Sequence, residues 1–162
     1  MTLSISSSFD SGNIHVLSID GDRAELEIRR DHLSDFYQWF HFRVAGAAGR
    51  SVELAITNCA GSAYPDGWPG YSARVSEDRE NWTLAPTEYA DGVLTIRVEP
   101  TTDAVWVAYF APYSMERHHD LVELDLLRRR GKRRLGDVPV IDQRLTVQHR
   151  YLAVRPGGQI GR

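Results

Sequence analysis

A chain of 162 residues with 42% apolar and 25% charged side chains has the size and composition of one globular domain with room for an appendage. Its single cysteine, Cys59, excludes an intrachain disulfide, and no apolar run approaches the ~20 residues that a membrane-spanning helix requires. The net charge of −3 is unevenly distributed, because residues 1–127 hold 9 Lys and Arg against 20 Asp and Glu, whereas residues 128–162 hold 10 against 2.

Short β-prone runs separated by turns fill the first half of the chain. Ala24–Arg29 and Val52–Thr57 alternate apolar and polar residues, as strands with one wet face do. Phe36–Val44 between them is dense in aromatic residues, so it needs cover on two faces, or on one face and by a partner domain. The remaining runs of this half are Ile5–Phe9, an edge strand, and Ile14–Ile19, which the turn Asp20-Gly21-Asp22 ends.

The second half continues the series with Ser72–Ser76, Thr83–Leu84 and Val93–Val98, the last preceded by an Asp91-Gly92 turn. Ala104–Phe110 carries no charge and is rich in β-branched and aromatic residues. It therefore predicts a central strand that is buried on both faces and ends before Pro112. About eight or nine short strands predict a mainly β fold, an antiparallel β-sandwich.

One C-terminal helix is predicted after these strands, from Ser114 to Arg130. Ser114 suits an N-cap, apolar residues recur at i, i+3 and i+4 spacing, and arginines occupy the last turn before Gly131. We expect residues 1–127, with most of this helix, to form the domain, and residues 128–162 to form a basic tail.

The most unusual loop is Tyr64–Tyr71, which places two prolines, two glycines and three aromatic residues within eight positions. A rigid loop of this kind presents a large contact area at little entropic cost, which suits binding. The alternative is a stiff loop whose Trp68 and Tyr71 fold back on the core, which is the commoner arrangement.

Reactive or charged constellations are weak in this sequence. His119 and Glu123 share a helix face, but His118 and Asp120 do not complete a metal site, so a solvated face is the better interpretation. Cys59 is more typical of a small buried hydrophobe than of a nucleophile. The basic run at 128–134 lacks interleaved aromatic residues and follows an acidic body, so we expect no nucleic-acid binding. No catalytic, cofactor-binding or metal-binding residue is predicted.

Four segments together resemble one protein family. They are Trp39–Val44, Ala63–Tyr71, Asp78–Trp82 and Ala108–His118. In this order, and over about residues 4 to 127, the chain resembles the N-terminal domain of bacterial zinc carboxypeptidases of the cytosolic carboxypeptidase type. The resemblance implies an antiparallel β-sandwich that precedes a larger α/β catalytic domain carrying the zinc.

The chemistry that the resemblance implies belongs to that catalytic domain. It needs a His-x-x-Glu pair and a later histidine for zinc, an arginine for the substrate carboxylate and a glutamate base, and none has a match here. The resemblance also stops near Arg130, where the charge changes sign. Our hypothesis is that the residues beyond are not native family sequence, as a truncated or frame-shifted reading would give, and that the tail is non-native or partly disordered. Sequencing the encoding locus tests this.

Two functions from different classes follow as hypotheses. The first is a non-catalytic accessory domain of a zinc metallocarboxypeptidase that shapes access to its catalytic domain, with Trp68, Tyr71, Tyr113 and Arg117 as the expected interface. The expected partner is that catalytic domain or a second copy of the chain, with zinc held only by the catalytic domain.

The second hypothesis is a stand-alone binding module for carbohydrate or protein that uses the Tyr64–Tyr71 loop, and a small hydrolase using Cys59 is a distant third. The N-terminus has neither a basic region nor an apolar signal core, so a cytoplasmic location without membrane contact is expected.

Overall fold

The computed structural model describes residues 2–113, 119, 121 and 122, and within them the chain forms ten β-strands. Short 3₁₀ turns at Cys59–Gly61 and Pro65–Gly67 separate the fifth and sixth strands. The strands are β1 Ser4–Ser6, β2 His15–Asp20, β3 Arg23–Glu27, β4 His41–Ala45, β5 Val52–Ile56, β6 Arg74–Ser76, β7 Thr83–Leu84, β8 Thr87–Ala90, β9 Val93–Val98 and β10 Ala104–Ala108.

These strands form two five-stranded sheets. The first sheet has the order β1-β4-β10-β6-β7 and is antiparallel throughout, whereas the second has the order β2-β3-β5-β9-β8. The mainly β prediction is therefore confirmed. A purely antiparallel fold is wrong, because β3 and β5 run parallel. Between β3 and β5 the chain crosses to the first sheet and forms β4 there. It then crosses back, so that β5 runs in the same direction as β3.

A single apolar core lies between the sheets. Alternate residues of each strand face it, so that β4 contributes Phe42 and Val44 and β10 contributes Val105 and Val107. The second sheet supplies the opposite side with Ala24, Leu26, Val52, Leu54, Ile56, Leu94 and Ile96. At roughly 25 cal/mol per Å² of buried apolar area, this shared core is the main stabilising contribution to the fold.

Two strand predictions need correction. The predicted strand Ala104–Phe110 does form the central strand of the first sheet, as β10, but it ends at Ala108 and is not buried on both faces, since Trp106 is only half-buried on the outer side. Phe36–Phe40 is a loop, and the strand expected there begins at His41. The missed strand is β8, whose Thr-Glu-Tyr-Ala sequence lacks an apolar pattern and pairs only with β9, at the sheet edge.

The helix predicted from Ser114 to Arg130 lies almost wholly outside the described residues, as do Arg117, the domain boundary at residue 127 and the basic tail. These remain predictions. In the part of the chain that the structure describes, no helix is long and apolar enough to cross a membrane.

Candidate functional site

The Tyr64–Tyr71 loop folds inward, so its tryptophan is not available to a partner. Trp68 is completely buried, and its indole N–H donates to the carbonyl of Cys59 at 3.0 Å and to the hydroxyl of Ser62 at 2.8 Å. The expectation that Trp68 is an exposed interface residue is therefore wrong. Because the one N–H donor of the indole is hydrogen-bonded inside the protein, the whole ring can be buried, and this burial is more favourable than an exposed position.

Tyr71 belongs to the same inner aromatic cluster. Its ring stacks on Tyr109 at 5.0 Å between centroids, and its hydroxyl donates to the Tyr109 carbonyl at 2.6 Å. Burial raises the pKa of Tyr71 well above its usual value, so the phenol stays neutral. Of the predicted interface residues that the structure describes, only Tyr113 is largely exposed, at 55%.

A second set of aromatic side chains covers the opposite, outer side of the first sheet. Residues 40, 42 and 44 face the core, so Trp39, His41 and Arg43 point outward, and on β10 the outward positions include Trp106. We name this surface the outer aromatic face. Its members are Phe9, Trp39, His41, Trp82, Trp106 and Phe110.

Ring contacts connect the members of the outer aromatic face other than Trp106. Trp39 lies 4.5 Å from Phe110 between ring centroids, and His41 lies 4.9 Å from Phe9 and 5.9 Å from Trp82. The indole N–H of Trp39 donates to the Ser11 carbonyl at 2.8 Å, which fixes the ring. One signal of this face was present in the sequence, because the aromatic density of Phe36–Val44 requires cover on two faces, or on one face and by a partner domain.

His41 lies under these rings and is 5% exposed. Burial, and then the positive charge of Arg79, lower the pKa of His41 to about 4, while Asp10 opposes the shift. The imidazole is therefore neutral near pH 7. Its Nδ1 is 3.0 Å from the Ser11 hydroxyl, and its buried Nε2 has no hydrogen-bond partner among the described residues.

Two arginines flank Trp106 on the outer aromatic face. The guanidinium carbons of Arg43 and Arg79 lie 5.7 Å and 5.5 Å from the indole centroid, within the range of cation–π attraction. Within the described part of the chain, neither guanidinium has a carboxylate within 4 Å. As far as the described residues go, this face therefore presents two cations that have no acidic partner.

A hydrogen-bonded turn fixes Arg79. Its φ of 66° is unusual for a residue other than glycine. The Ser76 hydroxyl accepts its backbone N–H at 2.8 Å, and the Trp82 indole donates to its carbonyl at 3.0 Å. The Asp78 carboxylate accepts hydrogen bonds from the backbone and side-chain N–H groups of Asn81 and from the backbone N–H of Glu80. These bonds hold the pKa of Asp78 far below its usual value. The turn thus holds Arg79 and Trp82 together.

The outer side of the second sheet is different in kind. Glu53 on β5 pairs with Arg23 at 2.6 Å and with Arg97 at 3.3 Å, and Arg97 also reaches Glu88 at 3.4 Å. Alternating charges across four strands satisfy one another and face water, as expected for the wet side of a sheet. The two outer faces therefore suit different surroundings.

The described residues do not fit a metal or nucleophilic centre. No three His, Cys, Asp or Glu side chains among them come together as metal ligands, and the buried nitrogen of His41 faces rings. Cys59 is fully buried, and burial raises the pKa of its thiol to about 12, which contradicts a Cys59 nucleophile. The fold and surface thus define a two-sheet β domain whose described part offers contact surfaces.

Comparison with known proteins agrees with this class. The family model described as the cytosolic carboxypeptidase N-terminal domain matches residues 5–110. An uncharacterized protein of Zymomonas mobilis is 58% identical over 122 residues, which cover 75% of this chain and 32% of that protein.

Two solved structures extend the comparison. The metallo-carboxypeptidase of Burkholderia cenocepacia is 44% identical with a TM-score of 0.73, over 76% of this chain and 32% of that one. A putative carboxypeptidase A of Shewanella denitrificans is 46% identical with a TM-score of 0.73, over 76% and 33%. The chain belongs to the cytosolic carboxypeptidase N-terminal domain family and spans about a third of the length of these relatives.

Proposed function

We propose that this chain is a non-catalytic accessory domain of a zinc metallocarboxypeptidase, which packs on a catalytic domain and shapes access to it. The observation that carries the proposal is that the similarity is confined to the N-terminal third of metallo-carboxypeptidases. The described residues supply contact surfaces and do not fit the metal of those relatives. Zinc would act in the catalytic domain as the Lewis acid of peptide hydrolysis.

The family description supports two further parts of the proposal. It names the cytosol, so we place the chain in the cytoplasm, where the single thiol of Cys59 would stay reduced. It also names an N-terminal domain, so we take the partner to be the catalytic part of such an enzyme.

The test uses the Zymomonas mobilis relative, which is the 58% identical protein. The part of that protein outside the 122 matched residues is expressed separately and mixed with the 162-residue chain. We expect the two to form a one-to-one complex by size-exclusion chromatography. We also expect zinc-dependent release of C-terminal residues from peptides to rise when the chain is added.

Two results would contradict this function. One is zinc-dependent release of C-terminal residues by the 162-residue chain alone, with the activity lost on chelation. The other is a lack of association between the chain and the remaining part of the relative at micromolar concentration.

The carbohydrate-module hypothesis loses its premise in the structure. Trp68 was to be the stacking platform, but its ring lies in the core and cannot meet a sugar. The aromatic residue that the Tyr64–Tyr71 loop does expose is Tyr64, at 60%. We therefore do not propose this function.

A further inference from the structure

We propose that the outer aromatic face is the surface on which the catalytic domain docks, and that Arg43 and Arg79 there bind carboxylates of that domain. This inference rests on the proposed function, and it names the surface and the chemistry that the proposed function leaves open. The occupant is the part of the enzyme that follows this domain in the longer relatives, with an acidic patch opposite Trp106.

The outer aromatic face exposes apolar rings to water, which is unfavourable unless a partner covers them. Phe110 is 52% exposed and Phe9 is also exposed, and both belong to a layer of contacting rings that includes Trp39 and His41. Large contiguous apolar patches on a monomer mark interaction surfaces. On the second sheet, the strands around β5 instead present to water the charge ladder built around Glu53.

The positive charge of Arg43 and Arg79 also indicates a partner surface. Residues 1–127 hold 20 acidic against 9 basic residues, yet within the described residues neither Arg43 nor Arg79 lies within 4 Å of a carboxylate. Guanidinium groups stacked on an indole keep their edge donors free for carboxylates, which suits interface pairing. The positive φ of Arg79 is a local strain that the Asp78 turn sustains, and such strain concentrates at functional positions.

The place where the chain leaves this domain also favours the outer aromatic face. The matches to the relatives cover 75–76% of this chain and 32–33% of those proteins, so they extend beyond the end of the family match at residue 110. The last described strand, β10, ends at Ala108, and Phe110 two residues later packs on Trp39. The chain that continues toward the unmatched part of the relatives therefore leaves the two-sheet body at the outer aromatic face.

The same charges argue against a second copy as the occupant. A two-fold dimer places the same patch on both sides of the interface. Arg43 and Arg79 of one copy would then approach those of the other, and like charges in contact are unfavourable. A catalytic domain with carboxylates at these positions carries no such penalty.

The test measures the dissociation constant between the 162-residue chain and the remaining part of the Zymomonas mobilis relative. Arg43→Glu is the main variant, because this side chain is exposed and lies in regular strand. We expect about tenfold or greater weakening, since a repulsive charge replaces an interface pair. Phe110→Ser removes an exposed ring and provides a second variant with little risk to folding. We expect it to weaken binding as well.

The matched control is Arg97→Glu on the outer side of the second sheet. It makes the same charge change at another exposed strand arginine, and we expect less than about a twofold effect on binding. Hydrogen exchange provides an independent measurement. We expect the complex to protect the amides of Trp39 and of β10 near Phe110 and to leave those of the β8–β9 hairpin unchanged.

The outcomes separate the two proposals. If the wild-type parts do not associate, the proposed function fails, and this inference fails with it. If they associate but Arg43→Glu and Phe110→Ser bind like wild type, or if protection falls on the second sheet, this inference is overturned and the proposed function stands. Self-association of the chain that Arg43→Glu abolishes would also overturn it.

Discussion

Neighbouring aromatic residues in this protein have opposite environments where the chain enters β4 and where it leaves β10. Phe40 is fully buried, whereas Trp39 lies on the outer aromatic face. At the end of β10, Tyr109 packs against Trp68 and the next residue, Phe110, is half-exposed. Which rings form the core and which form the contact surface is thus decided one residue at a time.

Trp68 gives a first prediction at this scale. We expect Trp68→Ala to lower the free energy of unfolding by about 3–5 kcal/mol, since it leaves a large cavity and two acceptors without their donor. Urea denaturation measures the change. Tyr64→Ala, in the same loop but largely exposed, is the control and should cost less than about 0.5 kcal/mol.

His41 predicts a pH dependence of stability. Its folded-state pKa of about 4 is below the ordinary histidine value of 6.5, so the unfolded chain binds this proton more readily. The stabilisation that neutral His41 provides is complete above pH 6.5 and is lost as the pH falls toward 4. We expect the loss to be roughly 2 kcal/mol after allowance for solvent screening.

Urea denaturation of the wild type and of His41→Gln between pH 4 and 7 measures this loss. The variant does not titrate and can still bond to Ser11, so the difference in unfolding free energy between the two proteins should shrink as the pH falls. The acidic groups Glu77 and Asp78 also have lowered pKa values, but they titrate in both proteins and cancel in the difference. A constant difference across this range would contradict a neutral buried His41.

At the scale of elements, the β8–β9 hairpin shows that a turn is easier to recognise than the strand before it. Asp91 and Gly92 connect the strands with φ values of 51° and 83°, the two positive angles that a tight hairpin turn prefers. The Asp-Gly pair therefore predicts the turn by itself. β8 becomes a strand only because β9 offers it an edge to pair with.

Gly92 gives the prediction for this element. Alanine at position 92 would have to adopt the positive φ of this glycine, and its Cβ would lie 2.9 Å from the Cβ of Ala60. We expect Gly92→Ala to destabilise the protein by about 2 kcal/mol in urea denaturation. Gly21→Ala in the β2–β3 turn is the matched control, because its φ is 59° but its surroundings are open. Equal losses at the two positions would show that the contact with Ala60 contributes nothing.

At the scale of the whole molecule, the described residues before Tyr113 form two five-stranded sheets with a common core between them. In sequence, the buried core residues lie between Leu3 and Val107, and Tyr109 packs against this core. We expect the apolar burial that stabilises this two-sheet body not to depend on the basic tail that the sequence predicts at 128–162.

A chain ending at residue 127 tests this independence. We expect its free energy of unfolding to stay within about 0.5 kcal/mol of that of the 162-residue chain, since surface changes away from the core have effects of this size. Circular dichroism follows the transition. A lower midpoint or aggregation of the shorter chain would show that residues 128–162 contribute to the domain, and the predicted boundary would then be wrong.

The sequence by itself determined the mainly β class, most strand positions and the turns, because alternation and Asp-Gly turn chemistry are local properties. It also indicated the family through four separated segments such as Asp78–Trp82. The interface prediction at Trp68 was wrong, whereas the alternative that Trp68 and Tyr71 fold back on the core is confirmed, because loop composition allows both arrangements and only the contacts decide between them.

Tertiary structure alone decided the parallel pairing of β3 with β5, the burial of His41 and the placement of two arginines around Trp106. Each of these joins residues that are distant in the chain. Arg43 and Arg79, for example, are brought to one indole by the β4–β10–β6 pairing and by the turn after β6. Such contacts depend on the order of strands in the sheet, which local patterns of polarity and propensity do not encode.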